Sequence, residues 1–177
     1  MTEYYFDLET EGLDPKTQKI VTIQYQRLGK TMGKPLEKLQ ILKEWELTEK
    51  NMLTKFLDLF MDNWNFVPIG QNLHFDFNWL IQRAKIVLDK EIPYRWLFCE
   101  KPYIDIKPIL IIWNRGNFRM SGLHNLLDEE DGAKIAEWYR QRDYKQIIEY
   151  VTKEAETFIK VYQNLKAQIP KISPLYT

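Results

Sequence analysis

The chain has 177 residues, 45% of them hydrophobic and 28% charged, which is the composition of a soluble globular protein long enough to bury a core. Lys plus Arg and Asp plus Glu are equal at 25 each, so no global electrostatic field attracts nucleic acid, and a polyanion needs a local basic patch or bound metal. The single Cys99 excludes an internal disulfide and fits a reducing compartment. Because neither a signal-peptide pattern nor a membrane-spanning apolar run occurs, we expect one cytoplasmic domain over residues 1–177 with no membrane contact.

Two carboxylates end the first apolar run, which begins at Tyr4 and predicts a strand. Residues two apart on a strand share a face, so Asp7 and Glu9 lie side by side, about 7 Å apart at the backbone. Adjacent buried acids repel each other and lose hydration, and a hard cation such as Mg²⁺ or Mn²⁺ removes that penalty. The alternative is a strand end in solvent, where the two acids are harmless.

The next segments contain residues typical of turns, followed by apolar runs that predict further strands. Gly and Asp-Pro place a turn over Thr10–Pro15, and Ile20–Tyr25 predicts a strand that pairs with the first as a hairpin. A polar loop is expected over Gly29–Lys38, and a third strand over Leu39–Trp45.

A helix is expected to begin at Thr48, its N-cap, with Leu47 and Met52 at the spacing of a hydrophobic staple. Apolar residues recur at helical spacing over Leu53–Phe60, which predicts one buried face. The short apolar run Phe66–Gly70 then predicts a central strand.

The segment Gln71–Leu80 is expected to open the next helix, which continues to about Leu88. Asp76 falls near its first turn, where exposed backbone N–H groups favour a carboxylate; an ordinary capping role is the alternative. His74 and His124 lack a second histidine or cysteine at zinc spacing, so we interpret both as packing or surface residues.

A locally basic loop covers residues 114–122. It contains Arg115 and Arg119, and no acidic residue lies between Ile106 and Leu127. This pattern is typical of a groove that follows phosphates, and also of an ordinary solvated loop. The preceding apolar segment, Tyr103–Trp113, leaves its conformation open.

The last helix is expected to begin near Tyr144, after a charged turn at Asp128–Gly132 and a short helix at Ala133–Arg140. Its apolar stripe consists of Ile147, Val151, Ala155, Phe158, Tyr162 and Leu165. Glu154 lies about 60° from the centre of this stripe and Tyr150 about 100° away on the same flank. Because they are one turn apart, the two side chains can reach the same place.

A rival pair, Tyr139 and Asp143, has the same spacing. Asp143 is better explained as the N-cap of the last helix, because Gln146 stands three residues on and completes a capping box. We therefore favour Tyr150 and Glu154, for which the alternative is a helix edge with a half-buried tyrosine and a surface acid.

Three segments together resemble the DEDD superfamily of 3′–5′ exonucleases: Asp7-Leu8-Glu9, Asn72 through Asp76, and Tyr150 followed four residues later by Glu154. The tyrosine places the resemblance nearest the DEDDy branch, and the first segment is similar to that of the proofreading exonuclease domain of family B DNA polymerases. The implied fold class is α/β, with an RNase H-like (DnaQ-like) mixed central β-sheet flanked by α-helices.

The resemblance also implies two divalent ions, Mg²⁺ or Mn²⁺, and hydrolysis of terminal phosphodiester bonds of DNA or RNA to nucleoside monophosphates. Asp7 would bridge both ions, with Glu9 and Glu154 on the first. Asp76 would support the second, directly or through water, and Tyr150 would orient the attacking water. The expected partner is a single-stranded 3′ end.

The expected substrate contacts are Thr10, Asn72, Arg115 and Arg119. Ribonuclease H itself fits less well, because its glutamate comes from a helix rather than from the first strand. Glu154 departs from the family's usual Asp and lengthens that arm by one methylene. The alternative function is therefore a catalytically weak or inactive relative that binds nucleic acid ends or other proteins.

Overall fold

A five-stranded mixed sheet organises the chain in a computed structural model that describes residues 1–62, 64–119, 121–123 and 134–172, with side chains as far as residue 168. The strands are β1 (Glu3–Thr10), β2 (Ile20–Leu28), β3 (Gln40–Lys43), β4 (Val67–Gly70) and β5 (Ile104–Asp105). Their order across the sheet is β3-β2-β1-β4-β5. Strand β2 pairs antiparallel with β1, and β3 pairs antiparallel with β2. On the other side, β4 pairs parallel with β1, and β5 pairs parallel with β4.

Helices flank this sheet, which confirms the predicted mixed sheet with helices packed against it. They are α1 (Glu44–Leu47), α2 (Glu49–Phe60), α3 (Leu73–Leu88), α4 (Lys107–Trp113), α5 (Ile135–Gln141) and α6 (Tyr144–Ile172). A π-helical turn covers Trp96–Glu100. Within the described ranges, no helix has both the length and the apolar character that a membrane span needs.

Alternation along β1 decides which side chains reach which layer. Phe6 and Leu8 point into the core formed with α2 and α3. Tyr5 points to the other face, where its ring lies 5.0 Å from that of Phe158 on α6. Asp7 and Glu9 share the face of Tyr5, so both acids are directed toward α6.

A β-bulge lies beside the two acids. Glu9 pairs with Thr22, but Thr10 pairs with Ile20, so the register skips Val21. Val21 then packs with Ile147 and Val151 of α6 in a separate buried cluster. The bulge therefore helps to seat α6 against the end of β1, and bulges of this kind are frequent next to active sites.

A buried ion pair fixes the turn between β1 and β2. Arg83 of α3 donates to both carboxylate oxygens of Glu49 at 2.8 and 2.6 Å. The same glutamate accepts the backbone N–H of Ile20 at 3.0 Å, and Arg83 also donates to the Pro15 carbonyl at 3.0 Å. The turn that follows the acids is thereby held by the two helices beneath it.

The expected third strand over Leu39–Trp45 was too long. Strand β3 ends at Lys43, and Trp45 belongs to the short helix α1. The Trp45 ring stacks on Tyr144 at 4.3 Å between centroids, so packing against α6 overrides the strand propensity of this residue. The predicted loop at Gly29–Lys38 is confirmed, with only an isolated bridge between Leu28 and Pro35.

Both predicted helix caps are confirmed. Thr48 accepts the backbone N–H of Asn51 at 3.4 Å, and Asp143 accepts that of Gln146 at 3.3 Å. The segment left open at Tyr103–Trp113 contains β5 followed by α4, with a proline in the first turn of α4.

The remaining expectations concern short segments. His74 is exposed beside the Phe98 ring, as expected of a surface residue. The predicted short helix corresponds to α5. His124, the charged turn at Asp128–Gly132 and Ala133 lie outside the described residues.

Candidate active site

Three carboxylates converge where β1 meets α6. Asp7, Glu9 and Glu154 each offer an oxygen atom, and these atoms lie within 4.8 Å of one another. All three side chains are half-buried. Glu154 is held there because Val151 and Ala155, on either side of it in α6, are fully buried against the sheet. We call Asp7, Glu9 and Glu154 the acidic cluster.

Asp76 adds a fourth carboxylate at the edge of the acidic cluster. It lies in the first turn of α3 and is 3% exposed. Strand β4 pairs with β1 only as far as Tyr5, and beyond this point the Leu8 N–H donates to Asp76 Oδ1 at 3.2 Å. The second predicted acidic segment is thus joined directly to the first.

The pKa values of these acids show that their ionised forms are disfavoured. Burial raises the pKa of Asp7 well above its ordinary value, and the charges of Glu154 and Asp76 add to the effect. Burial also raises the pKa of Glu9, followed by the charges of Glu154 and Asp7. The pKa of Asp76 is raised by burial, although hydrogen bonds from its own backbone N–H and from the Leu8 N–H oppose that rise.

Clustered carboxylates of this kind fit a hard divalent cation. Oxygen is the donor that Mg²⁺ and Mn²⁺ prefer, and a cation would stabilise the charges that repel one another in its absence. The acidic cluster could therefore bind a metal ion through Asp7, Glu9 and Glu154, with Asp76 beside it.

Tyr150 approaches the acidic cluster from one turn earlier in α6. Its hydroxyl hydrogen-bonds to Glu154. Burial raises the pKa of Tyr150, and the charges of Glu154 and Glu9 raise it further, so the hydroxyl stays protonated. The ring contacts Trp138 of α5 at 6.1 Å between centroids, which limits its movement. Tyr150 can therefore donate a hydrogen bond but does not act as a tyrosinate base.

The rival pair lies elsewhere. Asp143 is exposed at its capping position, and the Tyr139 hydroxyl donates to Glu44. Lys19 donates to the same Glu44 at 2.9 Å. Of the two tyrosine–acid pairs, the structure brings the one with Glu154 to Asp7 and Glu9.

Thr10 and Asn72 border the acidic residues. The Thr10 hydroxyl donates to the Gly12 carbonyl at 2.7 Å, in the turn after β1. Asn72 adopts a left-handed conformation (φ 62°) immediately before α3. Its side-chain oxygen accepts a hydrogen bond from Lys107 Nζ at 2.7 Å. Their contacts with substrate stay predictions.

Arg115 and Arg119 lie on the loop after α4, and both are exposed. The Asn114 amide donates to the Arg119 carbonyl at 3.3 Å and gives the loop a defined shape. Trp113 and Phe118 on the same segment are 58% and 79% exposed. The structure thus places two arginines among exposed aromatic rings, and their contact with phosphates stays a prediction.

Asp105 was not singled out from the sequence. Its carboxylate accepts the backbone N–H groups of Asn72 and Leu73, each at 2.9 Å, so it caps the helix that carries Asp76. It also accepts the Lys107 N–H at 2.9 Å. This last contact is an Asx turn, in which an Asp side chain accepts the N–H of the residue two positions later. The Asp105 and Lys107-Pro108 pattern indicates such a turn, but the apolar residues around it concealed where β5 ends and α4 begins.

Thr22 and Gln24 were also missed. They lie on β2 directly opposite Glu9 and Asp7, and both are 0% exposed. Among the described residues, the Thr22 hydroxyl and both polar atoms of the Gln24 amide have no hydrogen-bond partner. Polar residues at alternate positions of the apolar run Ile20–Tyr25 were the signal that could have identified them.

No protein-family model and no curated protein matches this sequence. Solved structures of exonuclease I do match its fold. The zinc-bound complex of E. coli exonuclease I with single-stranded DNA aligns with a TM-score of 0.63 at 14% identity, covering 96% of this chain and 41% of that chain. The E. coli exonuclease I complex with a dT13 oligonucleotide gives 0.61 at 13% identity, with 97% and 42% covered.

A product-bound exonuclease I structure gives a TM-score of 0.59 at 13% identity, covering 96% of this chain and 44% of that chain. The chain therefore spans about two fifths of the length of the exonuclease I chains that it matches. Likeness at this level of identity establishes the fold, and the predicted RNase H-like (DnaQ-like) fold is confirmed.

Proposed function

We propose that this protein is a metal-dependent 3′–5′ exonuclease that hydrolyses terminal phosphodiester bonds of DNA or RNA and releases nucleoside monophosphates. The observation that carries the proposal is the convergence of Asp7, Glu9 and Glu154 within 4.8 Å, on a fold shared with exonuclease I. That fold supports the DEDD superfamily. Tyr150, one turn before Glu154, supports the DEDDy branch, and similarity to polymerase proofreading domains rests on the Asp7-Leu8-Glu9 segment alone.

Each acidic residue has a distinct place in the proposed site. Two Mg²⁺ or Mn²⁺ ions, when bound, would stabilise the attacking and leaving oxygens of an in-line displacement. Asp7 would bind both ions, and Glu9 and Glu154 would bind the first. Asp76 would support the second, directly or through water, since the Leu8 N–H fixes its position at the edge of the acidic cluster.

The position of Glu154 supports the proposal of an active enzyme rather than the catalytically weak alternative. Glu154 has one methylene more than the aspartate that is usual in the DEDD superfamily, and a longer side chain can carry its carboxylate past the other acids. Its oxygen instead lies within 4.8 Å of those of Asp7 and Glu9. Helix α6 is therefore placed so that the longer side chain of Glu154 brings its carboxylate to Asp7 and Glu9.

Divalent-dependent shortening of a nucleic acid tests the proposed activity. Single-stranded and duplex DNA and single-stranded RNA, labelled at the 5′ end, would be incubated with Mg²⁺ or Mn²⁺, and with EDTA as the control. We expect a ladder of products shortened from the 3′ end, together with released nucleoside monophosphates. Intact substrates in every condition, with a folded protein, would refute the exonuclease proposal in favour of a binding role.

Tyr150→Phe should lower kcat by about 10- to 100-fold while KM changes less than about twofold. The reason is that the protonated hydroxyl, already hydrogen-bonded to Glu154, would orient the attacking water rather than bind substrate. Steady-state kinetics on a labelled single strand would measure both constants.

Tyr144→Phe is the matched control, because Tyr144 lies on the same helix but stacks on Trp45. It should leave kcat unchanged. An unaltered kcat for Tyr150→Phe would show that Tyr150 serves only to pack α6.

Arg115 and Arg119 are proposed to bind substrate phosphates. The end of their loop returns to the site, since the Leu123 N–H donates to the Gln71 side chain at 3.1 Å, next to Asn72. Exposed Trp113 and Phe118 could stack on unpaired bases.

Replacing both arginines with serine should weaken single-strand binding similarly for all sequences and flatten the salt dependence by about 1.4 in log–log slope. Fluorescence anisotropy in Ca²⁺ over a range of salt concentrations would measure it. Arg27→Ser with Arg95→Ser removes the same charge from exposed pairs with Glu37 and Glu100 and serves as the control. Equal slopes for the two double variants would exclude the loop from the binding surface.

A further inference from the structure

Gln24 lies beneath the acidic cluster. It is paired directly with Asp7 across the antiparallel β1–β2 ladder, so the two side chains leave the same face of the sheet. Their Cβ atoms are separated by about 4.5–5.5 Å in such a pair. The position is fully enclosed, since Gln24 is 0% exposed between the sheet and α6.

The chemistry of this side chain is unusual for its surroundings. Among the residues that the structure describes, neither the Nε2 nor the Oε1 atom of Gln24 has a hydrogen-bond partner. Two residues further along the same face, Gln26 shows the ordinary arrangement, because its Nε2 donates to the Glu37 carbonyl at 2.7 Å. A buried amide without a partner is destabilising, so packing alone would favour an apolar residue at position 24.

A neutral donor has a specific use next to Asp7. A carboxylate that binds a cation through one oxygen is commonly oriented by a hydrogen bond to its other oxygen. The charged groups that act on Asp7 are Glu154 and Asp76, and neither acid can donate when ionised. The backbone N–H of Leu8 hydrogen-bonds to Asp7, but it also donates to Asp76, so it does not serve Asp7 alone. A lysine or arginine at position 24 would instead compete with the cation for the carboxylates.

We propose that Gln24 is a positioning residue, whose Nε2 donates to the Asp7 carboxylate when the site holds a divalent cation and so fixes the orientation of that ligand. The inference rests on the proposed metal site and adds to it a residue from β2. Gln24 touches neither the cation nor the substrate. Its effect is therefore on cation affinity, through Asp7.

Gln24→Met preserves the size of the side chain and removes the donor. We expect it to weaken Mn²⁺ binding about 10- to 100-fold in isothermal titration calorimetry, without any nucleic acid present. The metal-free protein should melt at the same temperature or higher, because the unpartnered amide is gone. Gln24→Asn keeps the amide but shortens its reach, and it should weaken Mn²⁺ binding as well, which covers the case of a misfolded methionine variant.

Gln26→Met is the matched control on the same strand and face, and it should bind Mn²⁺ like the unaltered protein. Folded Gln24 variants with unchanged Mn²⁺ affinity would overturn this inference alone and leave Gln24 as a packing residue. An unaltered protein that binds no Mn²⁺ would overturn the proposed function and this inference with it. The two failures are therefore distinguishable.

Discussion

Asp7→Asn should lower the hydrolysis rate by on the order of 10³-fold, because it removes the one ligand proposed to hold both cations, whose stabilisation of the transition state is worth several kcal/mol. We expect Mn²⁺ to raise the melting temperature of the unaltered protein, and Asp7→Asn should abolish that rise. A cation at about 100 times its Kd stabilises a native state by about 2.7 kcal/mol, so this loss is measurable by thermal denaturation.

The same variant should be more stable than the unaltered protein when metal is absent. The folded-state pKa values of Asp7 and Glu9 are raised by burial and by neighbouring acids. A group with a raised pKa contributes stability that is complete below its unfolded value, near 4, and is lost as pH rises through its folded value. Metal-free stability should therefore fall as pH rises from about 4, and less steeply in Asp7→Asn, as denaturation in EDTA at several pH values would show.

Asp58→Asn makes the same chemical change on an exposed face of α2 and should alter none of these quantities. Near-normal hydrolysis by a folded Asp7→Asn protein would disprove the two-metal assignment. If Asp7→Asn lost hydrolysis but its melting temperature still rose with Mn²⁺, the cation would bind at a site other than Asp7.

Glu154→Gln should reduce Mn²⁺ affinity and turnover together, each by about 10²-fold, because the carboxylate is removed while the side chain keeps its length. Glu154→Asp should also lower activity, although it introduces the residue that is usual in the superfamily that the sequence resembles. The shorter arm withdraws the oxygens by more than about 1 Å, and Mg²⁺ demands near-ideal geometry. The helix cannot follow, because Val151, Ala155 and Phe158 are buried in a packed interface.

Two variants control this experiment. Glu156→Gln changes an exposed acid two residues on and should leave activity unaffected. Asp143→Ala should lose about 1 kcal/mol of stability through the missing cap and keep full catalysis. An inactive Asp143→Ala protein beside a fully active Glu154→Ala protein would reverse the choice between the two tyrosine–acid pairs.

The pattern of the sequence predicted the parts of the site that lie on regular elements. Strand alternation placed Asp7 and Glu9 on one face, and helical periodicity placed Tyr150 and Glu154 on one flank of α6. Both inferences depend on periods that the backbone imposes regardless of tertiary context. The capping box at Asp143 was equally local, which is why it served to eliminate the rival pair.

The features that escaped prediction depend on contacts between distant segments. Asp105 caps α3 from 32 or 33 residues away, across a parallel strand pair that no local pattern specifies. Gln24 gains its importance from the register that sets it opposite Asp7. Trp45 leaves its expected strand because an aromatic partner is available on α6.

The hydrogen bond between Leu8 and Asp76 has a thermodynamic consequence. The Asp76 carboxylate already accepts the Leu8 N–H at Oδ1 and also its own backbone N–H, so only part of its coordinating capacity is left for a cation. Mg²⁺ requires about six ligands, and a second ion at Asp76 would have to draw most of them from water and from the phosphodiester itself. Under the two-ion proposal, the second ion and the nucleic acid therefore bind cooperatively, and each raises the affinity of the other by the same factor.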